Sequence, residues 1–273
     1  MKKIFILFLL LSTLSSQAQN PSILSAEDYF NRAYEKQNKE DYIGALADYN
    51  KTLEIDPNND DAYFNRGRSK YALEFYYGAL ADYSKVIVLN PNNAVAYNNR
   101  GIVKDDLEYY NDALSDYDKA TEINPNYATA YFNKGITKRK LENHNGAIAS
   151  FNMAIEINPS YAKAYNNRGN SKNYLEDYIG AIADYNKAIE IEPNFANAYY
   201  NRANTKSDLN KYNSAIADYN KALELEISDG STYKNRGILE ENLGNLKGAC
   251  TDWRKAAILG DQDAAEWVEN QCN

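Results

Sequence analysis

Two apolar patterns alternate along the chain. From Ala62 to Leu73 the sequence carries no breaker except Gly67. From Tyr77 to Leu89, Leu80, Tyr83 and Ile87 recur at spacings of three and four, the stripe of an amphipathic helix. Asn90-Pro91-Asn92 closes this second stretch, since proline cannot continue a helix and drives the residue before it out of the α region. The pair of patterns then returns. Pro57, Pro91, Pro125, Pro159 and Pro193 fall 34 residues apart. Tyr29, Tyr63, Tyr97, Tyr131, Tyr165, Tyr199 and Tyr233 keep the same interval, as do Ala45, Ala79, Ala113, Ala147, Ala181, Ala215 and Ala249. Three ladders in one phase define a helix-turn-helix repeat.

Gly67, Gly101, Gly135, Gly169 and Gly237, with Ala33 and Ala203, mark a place on the first helix that must carry no bulk, where the two helices of a unit approach closely. A 34-residue unit with Tyr63, Gly67, Ala79, Tyr83 and Pro91 in these places resembles the tetratricopeptide repeat. Seven units cover 26–59, 60–93, 94–127, 128–161, 162–195, 196–229 and 230–263. The resemblance implies an all-α fold, an open right-handed α-α superhelix of seven helix pairs in which stacking of neighbours makes the core. Two departures stand out. Ile227 replaces the proline of the sixth unit, and Arg32, Arg66, Arg100, Arg168, Arg202 and Arg236, with Lys134 in the fourth unit, replace the usual leucine before the glycine. The segment Gln262–Cys272 reads as a polar cap on the last unit, its capping helix assigned to 264–273, with Gly260-Asp261 as the break and N-cap.

Composition sharpens this picture at three points. The 25 tyrosines against 8 phenylalanines and 2 tryptophans reflect copied positions rather than a general aromatic bias. Lys2 and Lys3, the apolar run Ile4–Leu11 and Ser16-Gln17-Ala18 form a secretory signal over 1–18, followed by a short leader over 19–25. The run is shorter than the ~20 apolar residues of a membrane span, the alternative being an uncleaved anchor. The chain is therefore expected to be exported, to the periplasm or beyond, with no stable membrane span after cleavage. Its net charge of −8 becomes about −10 without Lys2 and Lys3, and argues against nucleic acid as a partner.

No residues stand out for catalysis or for a cofactor. The one histidine, His144, occupies the place of Tyr42, Tyr76, Tyr110, Tyr178 and Tyr212 and reads as a packing residue; no His-Cys cluster offers a metal site and no glycine-rich loop a phosphate site. An asparagine recurs in every unit: Asn31, Asn65, Asn99, Asn133, Asn167, Asn201 and Asn235. In some tetratricopeptide domains this asparagine helps to grip a terminal carboxylate, with a lysine one residue earlier and Lys and Arg on the next unit. Here only Lys234 is in place, with no unit after it, so the clamp is absent as a set and a repeat-to-repeat hydrogen bond is the simpler role.

The resemblance places ligand binding on the concave face, at first-helix positions that vary between units. These are Phe30, Tyr34, Phe64, Arg68, Tyr71, Asn98, Ile102, Asp105, Phe132, Ile136, Arg139, Asn166, Asn170, Tyr174, Tyr200 and Asn204. Rings and arginine among amides suit an extended peptide or a partner helix; the alternative is that the rings stack on each other and fill the groove. The expected function is a non-catalytic scaffold for a protein or peptide partner in the cell envelope, and the competing one a carbohydrate or cell-wall binder.

Two pairings follow from using the repeats as an internal alignment. Six units hold both Arg in the first helix and Asp in the second, Arg32/Asp48 through Arg236/Asp252, while the fourth has changed both, to Lys134 and Ser150. A joint change implies a bond within one unit; a bond to the next unit, such as Asp48 to Arg66, and a ligand-binding role are the rivals. Cys250 stands where other units have Leu or Ile, facing the cap, and lies 10 residues before Gly260, while Cys272 lies 11 after Asp261, across the turn. At about 1.5 Å per residue both lie roughly 15 Å from that turn, so a disulfide is expected, against a buried free Cys250 and a frayed Cys272.

Overall fold

A computed structural model describes residues 24–225 and 229–272. The expected signal segment 1–18, most of the leader, and Ile227 lie outside the described residues. Among these residues the structure is fifteen helices and no strand. The first helices of the repeats are α1 (Ala26–Asn38), α3 (Asp60–Ala72), α5 (Ala94–Asp106), α7 (Ala128–Lys140), α9 (Ala162–Tyr174), α11 (Ala196–Asp208) and α13 (Gly230–Asn242). The second helices are α2 (Tyr42–Ile55), α4 (Tyr76–Leu89), α6 (Tyr110–Ile123), α8 (His144–Ile157), α10 (Tyr178–Ile191), α12 (Tyr212–Glu224) and α14 (Leu246–Ile258). The cap, α15, runs Gln262–Gln271, starting two residues before the 264–273 read from sequence because the Asp261 side chain accepts from the Ala264 N–H. No described helix is long and apolar enough to cross a membrane.

Local chemistry explains each turn. Within a repeat, the first helix ends on a residue in the left-handed region: Glu40, Glu74, Glu108, Glu142, Glu176, Asn210 and Gly244, at φ 57–79°. The next N–H then donates to the carbonyl five residues back, as from Phe75 to Lys70 at 2.8 Å, and closes a Schellman turn. Nothing in the contacts of the five glutamates explains their choice over glycine. Between repeats, the residue before each proline is extended, with Asp56, Asn90, Asn124, Asn158 and Glu192 at φ −125 to −135° and ψ 84–93°. In the sixth repeat, which has no proline, α12 ends one residue earlier, at Glu224, with Leu225, the counterpart of Ile55, as its C-cap at φ −88° and ψ 20°.

The core is a column of small residues and rings. All seven ladder alanines of the second helices are fully buried. One turn on, Tyr49, Tyr83, Tyr117, Phe151, Tyr185, Tyr219 and Trp253 are at most 2% exposed. Burying such a ring contributes about 1.5–3 kcal/mol. These rings impose the glycine ladder: a Cβ on Gly101 would stand 2.7 Å from the Tyr117 ring and one on Gly135 2.5 Å from Phe151. Helices of one repeat pack together, each second helix packs on the first helix of the next repeat, and most neighbouring first helices, such as α5 and α7 or α9 and α11, also touch. The first repeat closes its open end with polarity. Asp28 and Glu35, both exposed, stand where later repeats bury Ala62 and Ser69, and Ser25 and Asp28 form a capping box.

A repeated ion-pair staple links these layers. The Arg32, Arg66, Arg100, Arg168, Arg202 and Arg236 guanidiniums donate through Nε (2.7–2.9 Å) and Nη2 (2.5–2.7 Å) to the aspartate of the same repeat. The intra-unit reading therefore holds, and Asp48 does not reach Arg66. Three partners were not expected. Lys36, Lys70, Lys104, Lys172 and Lys206 reach the same carboxylates at 2.7–2.8 Å. Nη1 reaches back to the preceding repeat, to Asn50, Ser84, Asn152, Asn186 or Asn220, at 2.5–3.2 Å. Each guanidinium also lies over the ladder tyrosine three residues before it, 5.1–5.7 Å from the ring centre. In the fourth repeat the carboxylate has moved: Lys134 pairs with Asp118, in the place of Asn50 and Ser84, and Ser150 bonds its own helix at Gly146.

The cap is tied covalently. Cys250 and Cys272 form a disulfide with their Cα atoms 5.5 Å apart. Trp267 packs edge-on against Trp253 at 5.2 Å and Ala264 is fully buried. The apolar end of the seventh repeat is thereby covered.

Candidate ligand-binding face

The first helices form one continuous face, and three cavities open on it between successive first helices. One of about 300 Å³ is lined from α1, α3 and α5 by residues including Gln37, Asn38, Arg68, Tyr71 and Ile102. A second of about 190 Å³ lies between α9 and α11, with Asn170, Asn173, Tyr174 and Asn204. A third of about 240 Å³ lies between α11 and α13, with Asn204, Ser207, Asp208 and Asn235. Asp208 has its carboxyl held above the usual range by burial alone.

The sixteen residues singled out from sequence fall into three groups here. Tyr34, Arg68 and Tyr174 are exposed, Tyr34 by 45% and Tyr174 by 62%. Ile102, Ile136, Arg139, Asn170 and Asn204 are half-buried. Asn170 and Asn204 accept from the hydroxyls of Tyr185 and Tyr219 beneath them. Tyr71 is half-buried as well, and its hydroxyl donates to Asp106 at 2.6 Å. Burial and this carboxylate raise its pKa.

The remaining residues correct the sequence reading. Asn98, Asp105 and Asn166 are at most 8% exposed. Asn98 and Asn166 accept from Asn133 and Asn201 of the following repeats at 2.9 and 3.0 Å. Asp105 accepts from Thr137 at 2.6 Å and Lys140 at 2.5 Å. All three are spent on joining repeats. Phe30, Phe64, Phe132 and Tyr200 lie 5.8–5.9 Å from the core rings Tyr49, Tyr83, Phe151 and Tyr219, ring to ring, and form an outer layer of the core. Replacing Phe64 and Phe132 would therefore disturb packing together with any binding. The asparagine ladder explains itself in the same terms. Asn133 and Asn201 bond backward because the preceding repeat offers Asn98 or Asn166; Asn65 and Asn167 follow Phe30 and Phe132, which offer no acceptor, and donate to their own helix at 2.9 Å.

His144 is 7% exposed and stacks on Tyr174 at 3.7 Å, as a packing residue. Neither ring nitrogen has a hydrogen-bond partner. Burial, and then Arg139, lower its pKa. Among the described residues no three His, Cys, Asp or Glu side chains are grouped so as to hold a metal.

Stacked helix pairs in register, with structural ladders fixed and one face left variable, define an α-α solenoid of 34-residue repeats. Sequence models described as tetratricopeptide repeat match residues 94–127, 128–161, 162–195 and 196–228, and one described as TPR repeat matches 33–74. The chain belongs to the tetratricopeptide repeat family. Among solved structures it resembles a tetratricopeptide repeat protein from Parabacteroides merdae, with 21% identity and a TM-score of 0.68 over 91% of this chain and 99% of that one. It also resembles MamA, with 27% identity and a TM-score of 0.56 over 59% and 94%. A third likeness is YrrB, described as a TPR protein with an unusual peptide-binding site, with 22% identity and a TM-score of 0.55 over 72% and 98%. No curated protein sequence matches.

Proposed function

We propose that this protein is a non-catalytic scaffold that holds an extended peptide segment of a partner protein along its first-helix face. The observation that carries this reading is the division of labour within each repeat. The ladder residues are committed to packing and staples, while Tyr34, Arg68 and Tyr174 vary between repeats, stay exposed, and stand on the face where cavities open. Aromatic and guanidinium groups are the side chains that anchor peptides most efficiently. The peptide-binding site named for YrrB supports the same use of the fold.

Export to the periplasm or beyond is part of the proposal. It is supported by the Lys2-Lys3 and Ile4–Leu11 pattern and by a disulfide of a kind that persists in oxidising compartments. The test is panning of a phage-displayed random peptide library on the purified protein. Enriched peptides should bind the native protein and lose affinity for a Tyr34→Ala/Tyr174→Ala variant of unchanged helicity. Absence of enrichment, with retention on cell-wall polysaccharide instead, would overturn it.

A further inference from the structure

The chain contains nine arginines, and their partners separate them sharply. Six hold the aspartates of the staples, and Arg254 donates to the Cys272 carbonyl at 2.6 Å. Among the described residues, Arg68 and Arg139 have no carboxylate within ion-pair distance. Both stand on first helices and face the variable side. Neither is imposed by the repeat: the place of Arg68 is held elsewhere by Tyr34, Ile102, Ile136 and Asn170, and that of Arg139 by Gln37, Tyr71, Asp105 and Asn173.

Their surroundings are built for an anion. Arg68 makes one long contact, 3.4 Å to Asn65, and lines the cavity of about 300 Å³. That cavity has no acidic residue in its wall; Asn38 brings an amide donor and Ile102 an apolar surface, while the buried Gln37 amide is turned to the Asn65 carbonyl and the Tyr49 hydroxyl. The nearby Asp106 is turned to the Tyr71 hydroxyl. Arg139 has a buried Nε with no hydrogen-bond partner, beside a His144 whose two nitrogens also have none. A buried guanidinium N–H without an acceptor is unfavourable and rare, and in a chain of net charge −8 a carboxylate partner for each arginine was readily available.

We propose that the face selects an acidic peptide segment, one carboxylate seated on Arg68 and a second on Arg139. This rests on the peptide-binding reading above. The spacing follows from the fold. With about 10 Å from one first helix to the next, α3 and α7 are separated by roughly 20 Å. An extended peptide advances about 3.3 Å per residue, which places the two acidic side chains about six residues apart.

The experiment pans a random dodecapeptide library on the native protein and on Arg68→Glu and Arg139→Gln variants, with circular dichroism as the folding control. The native protein should enrich peptides bearing Asp or Glu at two places about six residues apart. Arg68→Glu should lose the preference at one end and select Lys or Arg there, and Arg139→Gln should lose the other. For one synthesised winner, Arg68→Ala should weaken binding about tenfold or more, and added salt should weaken the native complex more than the variant's. Enriched peptides without acidic residues, or an unchanged preference in Arg68→Glu, would overturn the inference and leave the peptide-binding reading standing. Absence of any enrichment sinks both.

Discussion

The staple of the third repeat offers a quantitative test, because the fourth repeat supplies its own control. Asp116 is 4% exposed and accepts from Arg100 at 2.8 and 2.7 Å and from Lys104 at 2.7 Å. Asp116→Ser leaves two cations beside an empty carboxylate place. Breaking a buried pair costs about 3–5 kcal/mol, but Arg100 and Lys104 each keep 19% of their side-chain surface in water, so the expected loss is about 2–3 kcal/mol. Ser84→Asp/Arg100→Lys/Asp116→Ser transplants the arrangement of Asp118, Lys134 and Ser150. It should return to within about 1 kcal/mol of the native protein, since one partly buried pair again replaces another. Lys104 then sits as Lys138 does in the fourth repeat, where burial and Lys134 lower the ammonium pKa, so recovery should be incomplete. Urea is the denaturant to use, because a guanidinium salt screens the pair under test. Hydrogen exchange of α5 and α6 should accompany the melt, since a repeat array need not unfold in one step. An Asp116→Ser loss under about 1 kcal/mol, or a triple variant no more stable than Asp116→Ser, would refute the reasoning.

Three further outcomes are expected. His144→Tyr, restoring the ring found in five other repeats, should stabilise by about 1 kcal/mol at neutral pH by removing a buried imidazole without partners. The gain should grow in acid: the folded pKa of His144 lies below its unfolded value, so native stability falls as pH drops below about 6.5, and melts of native and variant protein between neutral and mildly acidic pH should diverge. Reduction of Cys250–Cys272, or Cys250→Ser, should cost the cap about 3 kcal/mol for a sequence separation of 22, seen as faster exchange of α15 amides while α1–α12 are unchanged. Glu74→Gly, at φ 61°, should raise stability by roughly 0.5–1 kcal/mol in a urea titration, because glycine adopts the left-handed turn without strain.

The sequence showed the architecture plainly because each structural requirement was written seven times. The alanine and proline ladders set the helix bounds, and the joint change at Lys134 and Ser150 marks the staple in the sequence itself. Cys250 could be paired with Cys272 because a single turn separates them. The face was harder to read. Periodicity says which side of a helix a residue occupies, but its fate depends on the neighbouring repeat. Asn98 and Asn166 vary between repeats as ligand residues do, yet they are consumed by Asn133 and Asn201. Phe64 and Phe132 vary too, and turn out to lie on core rings. The left-handed glutamates were missed because only glycine or asparagine signals that turn. Asp28 and Glu35 had a legible signal, polar residues at positions that every later repeat keeps small or apolar apart from its Ser and Thr hydroxyls, and that signal marks the closed first end.

The central claim is that partners lie along the first-helix face and not on the outer surface. Site-specific photo-crosslinking tests it most directly. A benzophenone amino acid is placed singly at Tyr34 or Tyr174 on that face, or at Ile43 or Ile179 on the exposed surface of α2 and α10. Each variant is irradiated with a peptide recovered from panning. Adducts are expected from positions 34 and 174, competed by unlabelled peptide, and none from 43 and 179. Adducts confined to the second-helix positions would contradict it.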